Sequence, residues 1–341
     1  MIQYLISVGT LAAITAILVL GVNVRWGLAG ELDLGYYLFP AVGAYVYGVI
    51  TLPSAKTQPG VSYVLGLHQP FIVGVLGAAA AGALLSLCIG AVALRRLRAN
   101  YFAIVTVATT IIGYTFISQY TPLFNGYNGL YGITQPFADN LNLTLQGYSD
   151  FFFGLCVAAL IAIYTVLELI RRSPFGRAVK AVRENEVAAL AFGRSVYKLR
   201  LKAYVIGGVV GAIGGSLLVN YVQAFSPTAW SPLETFLLYG ALLVGGTANN
   251  LGATVGAVVV LIAFPQLALL LPDFGKNADA LPAIENMTVG LLIILTLYFR
   301  SGGLVPELKT MNGQLRTGGH WNRRASKTPP DLEARDVAAA A

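Results

Sequence analysis

Charged residues are scarce in this sequence: Asp, Glu, Lys and Arg make up 11% of 341 residues, against 56% hydrophobic ones. A soluble domain carries charge along the outer face of every surface helix, so a chain this poor in charge has no water-facing shell to present. Between residues 100 and 167 the only charges are Asp139 and Asp150. Histidine is equally sparse, and His68 and His320 lie in unrelated settings, which leaves no histidine metal site or histidine-dependent triad to assemble. Cys88 and Cys156 sit inside long apolar runs, where a thiol behaves as a small hydrophobe, and this argues against a disulfide framework. The phosphate-binding Gly-x-x-x-x-Gly-Lys pattern is missing as well, so any nucleotide would be bound by another subunit. No catalytic residue, metal ligand or bound cofactor is expected on this chain.

What remains is apolar sequence in lengths that suit a bilayer, with a mean hydropathy of +0.70. Candidate spans are 2–22, 34–51, 70–94, 101–121, 151–170, 201–223, 235–246, 251–271 and 284–299. The seventh is too short for a full crossing. The first lacks a charged leading region and a small-residue cleavage pattern, and reads as a retained helix.

The net charge of +7 is concentrated at the ends of these runs, not on an aromatic-bearing polar surface, which excludes a nucleic-acid partner. Arg95, Arg96 and Arg98 follow the third run, a strongly basic stretch joins the fifth to the sixth, and Arg300 ends the last. The alternate loops, 122–150 and 224–234, contain no lysine or arginine. Basic loops stay on the cytoplasmic side, which predicts an outside amino terminus, an inside carboxyl terminus and about nine crossings if the short run counts. The chain therefore divides into a transmembrane domain at 1–300, with a cytoplasmic loop at 171–200, and a tail at 301–341. That tail, rich in Gly, Pro, Arg and Ala, is expected to be disordered in the cytoplasm or to touch anionic lipid.

The loop at 171–200 reads as short helices outside the membrane. Ser173 can cap a helix whose first residue is Pro174, and Gly193 would end the last turn. Ala178, Val179, Val182, Val187, Ala188 and Leu190 supply a small apolar face between charges, to be covered by a partner protein or by lipid headgroups. Glu31 and Asp33 stand at the edge of an apolar segment, where a carboxylate needs water, a cation or a donor. They are read as sitting in an aqueous cytoplasmic mouth, with a substrate ammonium or Arg25 as the alternative partner. Glycines near Gly27, Gly30 and Gly35, and again near Gly245, Gly246 and Gly252, interrupt runs in both halves of the chain. Such breaks either form solute sites from exposed backbone or permit close helix packing. Asn125, Asn128 and Gly129 form a turn on the loop assigned outside.

Several segments together resemble one family. GLAGELDLGYYLFPAVGAY (27–45), LRANYFAIVTVATT (97–110), NGYNGLYGI (125–133), SPFGRAVKAVRENEVAALAFG (173–193), LLVGGTANNLGATVGA (242–257) and YFRSGGL (298–304) occur in the order found in permeases of branched-chain amino-acid ABC importers, most like the M-type of the two paired permeases. Coverage runs from about residue 23 to residue 306. In the cytoplasmic loop, Ala188, Ala189 and Gly193 match the coupling pattern Glu-Ala-Ala-x-x-x-Gly, with Val187 at the glutamate position and Glu186 one place early. Glu31, Asp33, Tyr36, Asn249 and Asn250 depart from the residues usual in the family.

The resemblance implies an all-α polytopic bundle in the bacterial inner membrane. Its expected partners are a second, H-type permease, two cytoplasmic ATPases that carry ATP and Mg, and a periplasmic solute-binding protein. It implies an ATPase contact at Pro174, Phe175, Gly176, Arg183, Glu184, Glu186, Ala188, Ala189 and Gly193. It places a translocation pathway near Gly30, Glu31, Asp33, Gly35, Tyr36, Gly245, Gly246 and Asn249, and receptor docking at Asn125, Asn128 and Gly129. The solute would be a branched-chain or other neutral amino acid, a short amide or urea. An ion-coupled secondary transporter is the rival, and it would mark its path with intramembrane charge. Glu31, Asp33, Glu168 and Glu285 all lie near expected span ends instead.

Overall fold

The computed structural model describes residues 1–53, 66–97, 99–121, 125–133, 135–137, 144–230 and 233–268, with scattered positions from 290 to 316. The run expected at 284–299, most of the tail, Arg98, Glu285 and Asn142 lie outside them or on isolated positions. Two units are distinguished, 1–307 and 308–341. In the second, a short antiparallel hairpin pairs Lys309–Met311 with Gln314–Arg316, where the sequence was expected to be disordered.

The first unit is helical. Helix α1 (Ile2–Val22) runs on without a stop into a π-helical turn, Asn23–Leu28. Helix α2 covers Leu38–Thr51, α3 Phe71–Arg96 and α4 Ala99–Gln119. Helix α5 (Leu145–Arg172) is followed by two short helices, α6 (Pro174–Glu184) and α7 (Glu186–Ala191), and then by α8 (Val196–Val222). Helix α9 (Leu233–Gly245) meets α10 (Asn250–Val258) at a sharp break, and the chain continues through a π turn, Val259–Ala263, into Phe264–Ala268.

Among the described residues five helices are long and apolar enough to cross a membrane, or six if the bent pair across 245–250 counts as one span. The seventh and eighth expected runs are thus the two arms of one pair, bent by 117°. Helix α2 starts four residues later than the apolar run suggests. Its approach is held in turns instead, with the Gly35 amide donating to Asp33 Oδ1 at 3.1 Å and the Tyr37 amide to Thr235 Oγ1 at 3.2 Å.

Helices α8 and α1 form the centre: 61% and 56% of their apolar windows are buried, against 11% for α5 and 22% for α3, which turn most of their surface outward. Helix α8 packs on α3, α2 and α1, and α1 also on α5 and α10. The glycine run of α8 makes this possible, because a Cβ at Gly211 would fall 2.7 Å from the Tyr36 hydroxyl and one at Gly207 2.6 Å from Arg25 Cγ. These glycines serve close approach.

The basic residues collect at one end of the bundle. The Tyr197 hydroxyl, at the start of α8, reaches the Ala91 carbonyl near the end of α3, and Asn250 joins α10 to Glu168 near the end of α5. At the opposite end, strand β1 (Leu130–Tyr131) pairs antiparallel with β2 (Ala224–Phe225), which links the two arginine-free loops.

Candidate functional site

The π turn after α1 carries Arg25 into the interior, where its side chain is wholly buried. Asp33, eight residues on, is its ion-pair partner and is buried as deeply. The rest of the guanidinium is accounted for: Nε donates to the Tyr204 carbonyl at 3.0 Å and Nη2 to Ser86 Oγ at 3.0 Å. The rings of Phe39 and Tyr204 each lie 3.8 Å from its central carbon, close enough for desolvated cation–π contacts worth roughly 2 kcal/mol each. Tyr239 exchanges two hydrogen bonds with the Asp33 backbone, at 2.9 and 3.1 Å. One ion pair therefore ties together α1, α2, α3, α8 and α9.

Glu31 is buried too, with Arg200 Nε 2.6 Å from its carboxylate. Burial pushes the Glu31 carboxyl above the usual carboxylate range; Arg200 pulls the other way, and Glu186 adds to the rise. The expectation of an aqueous mouth for Glu31 and Asp33 is corrected on both counts. Packing of α1, α2 and α8 around glycine buries both residues, and each carboxylate finds an arginine instead. The alternative partner proposed for Arg25 is the one found. Tyr36 is buried with its hydroxyl 3.3 Å from the Gly207 carbonyl, and the Gly35 carbonyl accepts from Thr110 Oγ1 at 2.8 Å.

The α9–α10 break is closed differently. The amides of Leu304 and Val305 donate to the carbonyls of Val244 and Gly245 at 2.8 and 2.9 Å, and Asn249 Nδ2 reaches the Val305 carbonyl at 3.4 Å. Gly246 (φ 120°) takes a backbone form that a side chain would not tolerate. The Asn249 side chain also caps α10 through the Leu251 amide at 3.1 Å. The packed unit thus reaches beyond residue 300, because the segment at 302–305 supplies the donors that the broken helix end lacks. Nothing in the composition of the tail pointed to this.

At the basic end, the short helices form as their caps dictate. Ser173 Oγ accepts from the Gly176 amide at 3.2 Å with Pro174 in the first turn, and Gly193 (φ 71°) follows the end of α7. Asn185 Oδ1 caps α7 through the Ala188 amide at 3.0 Å, a junction the sequence reading passed over. The apolar face divides. Val179, Val182 and Ala189 turn inward and are buried within the chain, so that part of the face is covered by neither a partner nor lipid headgroups, and Ala189 is turned away from the expected ATPase contact. Val187, Leu190 and Phe192 turn outward, exposed by 77%, 54% and 83%. Arg183, expected at the ATPase contact, turns inward instead and donates to the Gly27 carbonyl, because Gly30 leaves room for its stem there, while Arg200 bridges Glu31 and Glu186, the latter at 2.9 Å. Phe175 and Glu184 lie in the first and last turns of α6, with Glu184 exposed and Phe175 half-buried. Glu168 gathers Arg171, Arg172 and Asn250, and Asn250 receives Asn23 at 3.0 Å.

At the other end, Asn125 is buried and holds its own turn, with Nδ2 donating to the Gly129 carbonyl at 2.7 Å; Asn128 and Tyr127 are exposed. Among the described residues no three of His, Cys, Asp and Glu gather as metal ligands.

Residues 4–297 match the family model described as branched-chain amino acid transport system, permease component, and the chain belongs to that family. It is a multi-pass membrane protein. It is 29% identical to the high-affinity branched-chain amino acid transport system permease protein LivM of Escherichia coli (strain K12), covering 90% of this chain and 72% of that one. It is also 29% identical to the probable branched-chain amino acid transport permease protein LivM of Methanocaldococcus jannaschii, over 84% of this chain and 89% of that one. The ribose import permease protein RbsC of Bacillus subtilis is 27% identical over 38% of this chain and 45% of its own. No solved structure matches the chain significantly.

Proposed function

We propose that this chain is one permease of an ATP-driven importer in the inner membrane, with its basic end in the cytoplasm, its amino terminus outside and its carboxyl terminus inside. It would pair with a second, H-type permease, two cytoplasmic ATPases carrying ATP and Mg, and a periplasmic solute-binding protein, and bind no cofactor itself. The observation that carries this reading is the outward apolar patch of Val187, Leu190 and Phe192 on short helices that are otherwise anchored inward. Apolar side chains exposed this far outside the spans call for a protein cover.

The solute class is a branched-chain or other neutral amino acid, a short amide or urea. Matches to permeases named for branched-chain amino acids span most of the chain, whereas the ribose permease matches less than half of it. The pathway runs between the two permeases, bordered by the interruptions near Gly30 to Tyr36 and Gly245 to Asn249. In the state described, the polar groups of both interruptions hold one another, so opening would exchange those partners. The exposed side of the turn at Asn128, beside Asn125 and Gly129, would meet the binding protein. An ion-coupled mechanism draws less support, because the wholly buried Arg25–Asp33 pair is saturated by Ser86, Tyr204 and two rings, which leaves little place for a coupling ion there.

The test is Leu190→Asp and Phe192→Asp in the co-expressed transporter. Both should insert at wild-type abundance yet lose ATPase co-purification and uptake together. In the wild type, excess leucine, short amide or urea should compete for uptake where ribose and lysine do not. Normal ATPase association and uptake in both variants would remove the docking assignment, and competition by ribose alone would overturn the solute class.

A further inference from the structure

Arg183 belongs to the segment expected to meet an ATPase, yet its side chain turns the other way. Its guanidinium donates to the carbonyl of Gly27 in the π turn that ends α1. That carbonyl sits where the helix runs out of backbone donors. The three carbonyls before it are taken, Val24 by the Ala29 amide at 3.2 Å, Arg25 by the Glu31 amide at 2.9 Å and Trp26 by the Gly30 amide at 2.9 Å. A cation at this position also meets the negative end of the helix dipole. The stem of Arg183 lies across Gly30, where a Cβ would fall 2.8 Å from Arg183 Cγ. The π turn thus presents a terminal carbonyl and a side-chain-free floor, and α6 supplies the arginine that fits both.

Two residues before Gly27 stands Arg25, whose ion pair with Asp33 reaches α2, α3, α8 and α9. A displacement of α6 therefore has a short route to the centre of the bundle: Arg183, the Gly27 carbonyl, the π turn, then Arg25. A π turn suits this role, since such single turns at the end of or within α-helices are frequently found at functional sites. The second connection, Arg200 between Glu31 and Glu186, joins α7 and α8 to the same linking segment.

We infer that Arg183 is a positioning residue for transport, the tie through which movement of α6 is passed to the end of α1 and the Arg25–Asp33 pair; this rests on the reading of α6 and α7 as the ATPase contact. The tie acts on coupling and not on docking, because Arg183 faces the bundle while Leu190 and Phe192 face outward.

The experiment uses the full transporter, co-expressed with its ATPases and reconstituted in vesicles, with Arg183→Gln and Arg183→Lys compared to wild type. Co-purified ATPase, ATP hydrolysis and solute moved per ATP are measured. In Arg183→Gln the ATPases should co-purify as in wild type and hydrolysis should stay within about twofold, while solute moved per ATP falls about tenfold, in the range of ordinary coupling energies. Arg183→Lys keeps a cation but not the reach of the guanidinium, and should lie between, at about a threefold loss. An unchanged ratio of transport to hydrolysis in Arg183→Gln overturns the inference, as does a fall of uptake and hydrolysis in step, which would mark a packing role. Should the Gln variant accumulate poorly, a lowered ratio in Arg183→Lys supports the tie and a wild-type ratio refutes it. If wild-type chain brings down no ATPase, the docking reading fails and this inference with it, whereas intact docking with an unchanged ratio defeats the tie alone.

Discussion

The linking segment at 23–37 and the α9–α10 break interrupt helices in the two halves of the chain, and they are sealed by different chemistry. Side chains close the first: Arg25 and Asp33 neutralise each other while Ser86, Phe39 and Tyr204 fill the remaining positions around the guanidinium. Main chain does most of the closing in the second, with two amides from 302–305 on two carbonyls of α9, while Asn249 reaches the Val305 carbonyl and Asn23 Oδ1 accepts from the Ala248 amide at 2.9 Å. A buried arginine must be matched in direction and charge by particular residues, so the first region is bound to its side chains. Backbone donors are the same for every residue but proline, so the second depends on the path of the chain and on glycines that let it pass.

The sharpest way to break this contrast is to remove one charge from the first region. Arg25→Ala or Asp33→Ala leaves the other ion buried without its partner, a loss of roughly 3–5 kcal/mol. Either variant should extract poorly from membranes and unfold at much lower temperature in detergent. The double variant Arg25→Met with Asp33→Leu removes both charges, and should regain part of the loss. If it is instead as damaged as the sum of the two, the cost lies in the lost ring contacts and not in an orphaned charge.

In the second region the ranking should invert, with glycine and backbone changes outweighing side-chain ones. Gly246→Ala forces a side chain onto a φ of 120° and toward the Val305 backbone, and Gly303→Ala would put a Cβ 2.6 Å from Gly246 Cα. Each should cost about 1–3 kcal/mol. Leu304→Ala and Val305→Ala keep both amides, and are expected to stay within about 1 kcal/mol of wild type. Thermal unfolding in detergent compares the four directly. A larger loss from Val305→Ala than from Gly246→Ala would mean that the seal depends on side-chain packing after all.

How far these regions could be read in the sequence follows from the range of the forces involved. Ser173 with Pro174, and Gly193, announced the short helices because capping is settled within four residues of chain. Long apolar runs announced the spans for the same reason. The Arg25–Asp33 pair was legible only as an alternative. A carboxylate at a span edge is cheapest in water, and its actual partner is an arginine whose own shelter is assembled from Ser86, Phe39 and Tyr204 on three other helices. Ala189 was placed on the partner face because spacing gives a helix two faces without saying which one the rest of the chain will cover. The segment at 302–305 stood out only through the YFRSGGL resemblance, and its contact with α9 was not legible, since backbone amides look alike in any sequence.

The smallest effect is expected within the first region itself, where two carboxylates two residues apart should behave as opposites. Asp33 is enclosed with its arginine, but Arg200 is 24% exposed in its side chain and divides its attention between Glu31 and Glu186. Burial raises the Glu31 carboxyl above its ordinary range, so the folded chain holds that proton more tightly than the unfolded one. The sign follows from linkage: stability from this group is fully present below the unfolded carboxylate value and is lost as the pH rises through the raised folded value. Above that window an ionised Glu31 is a net cost that Arg200 only partly offsets. Glu31→Gln should therefore change stability near neutral pH by less than Asp33→Asn does, and flatten the decline expected of wild type as the pH rises above the ordinary carboxylate range. Unfolding midpoints taken across that pH range, for wild type, Glu31→Gln and Asp33→Asn, give the comparison. A destabilisation by Glu31→Gln as large as that of Asp33→Asn would show that the Arg200 contact is as enclosed as the Arg25 pair, and that the two carboxylates share one role.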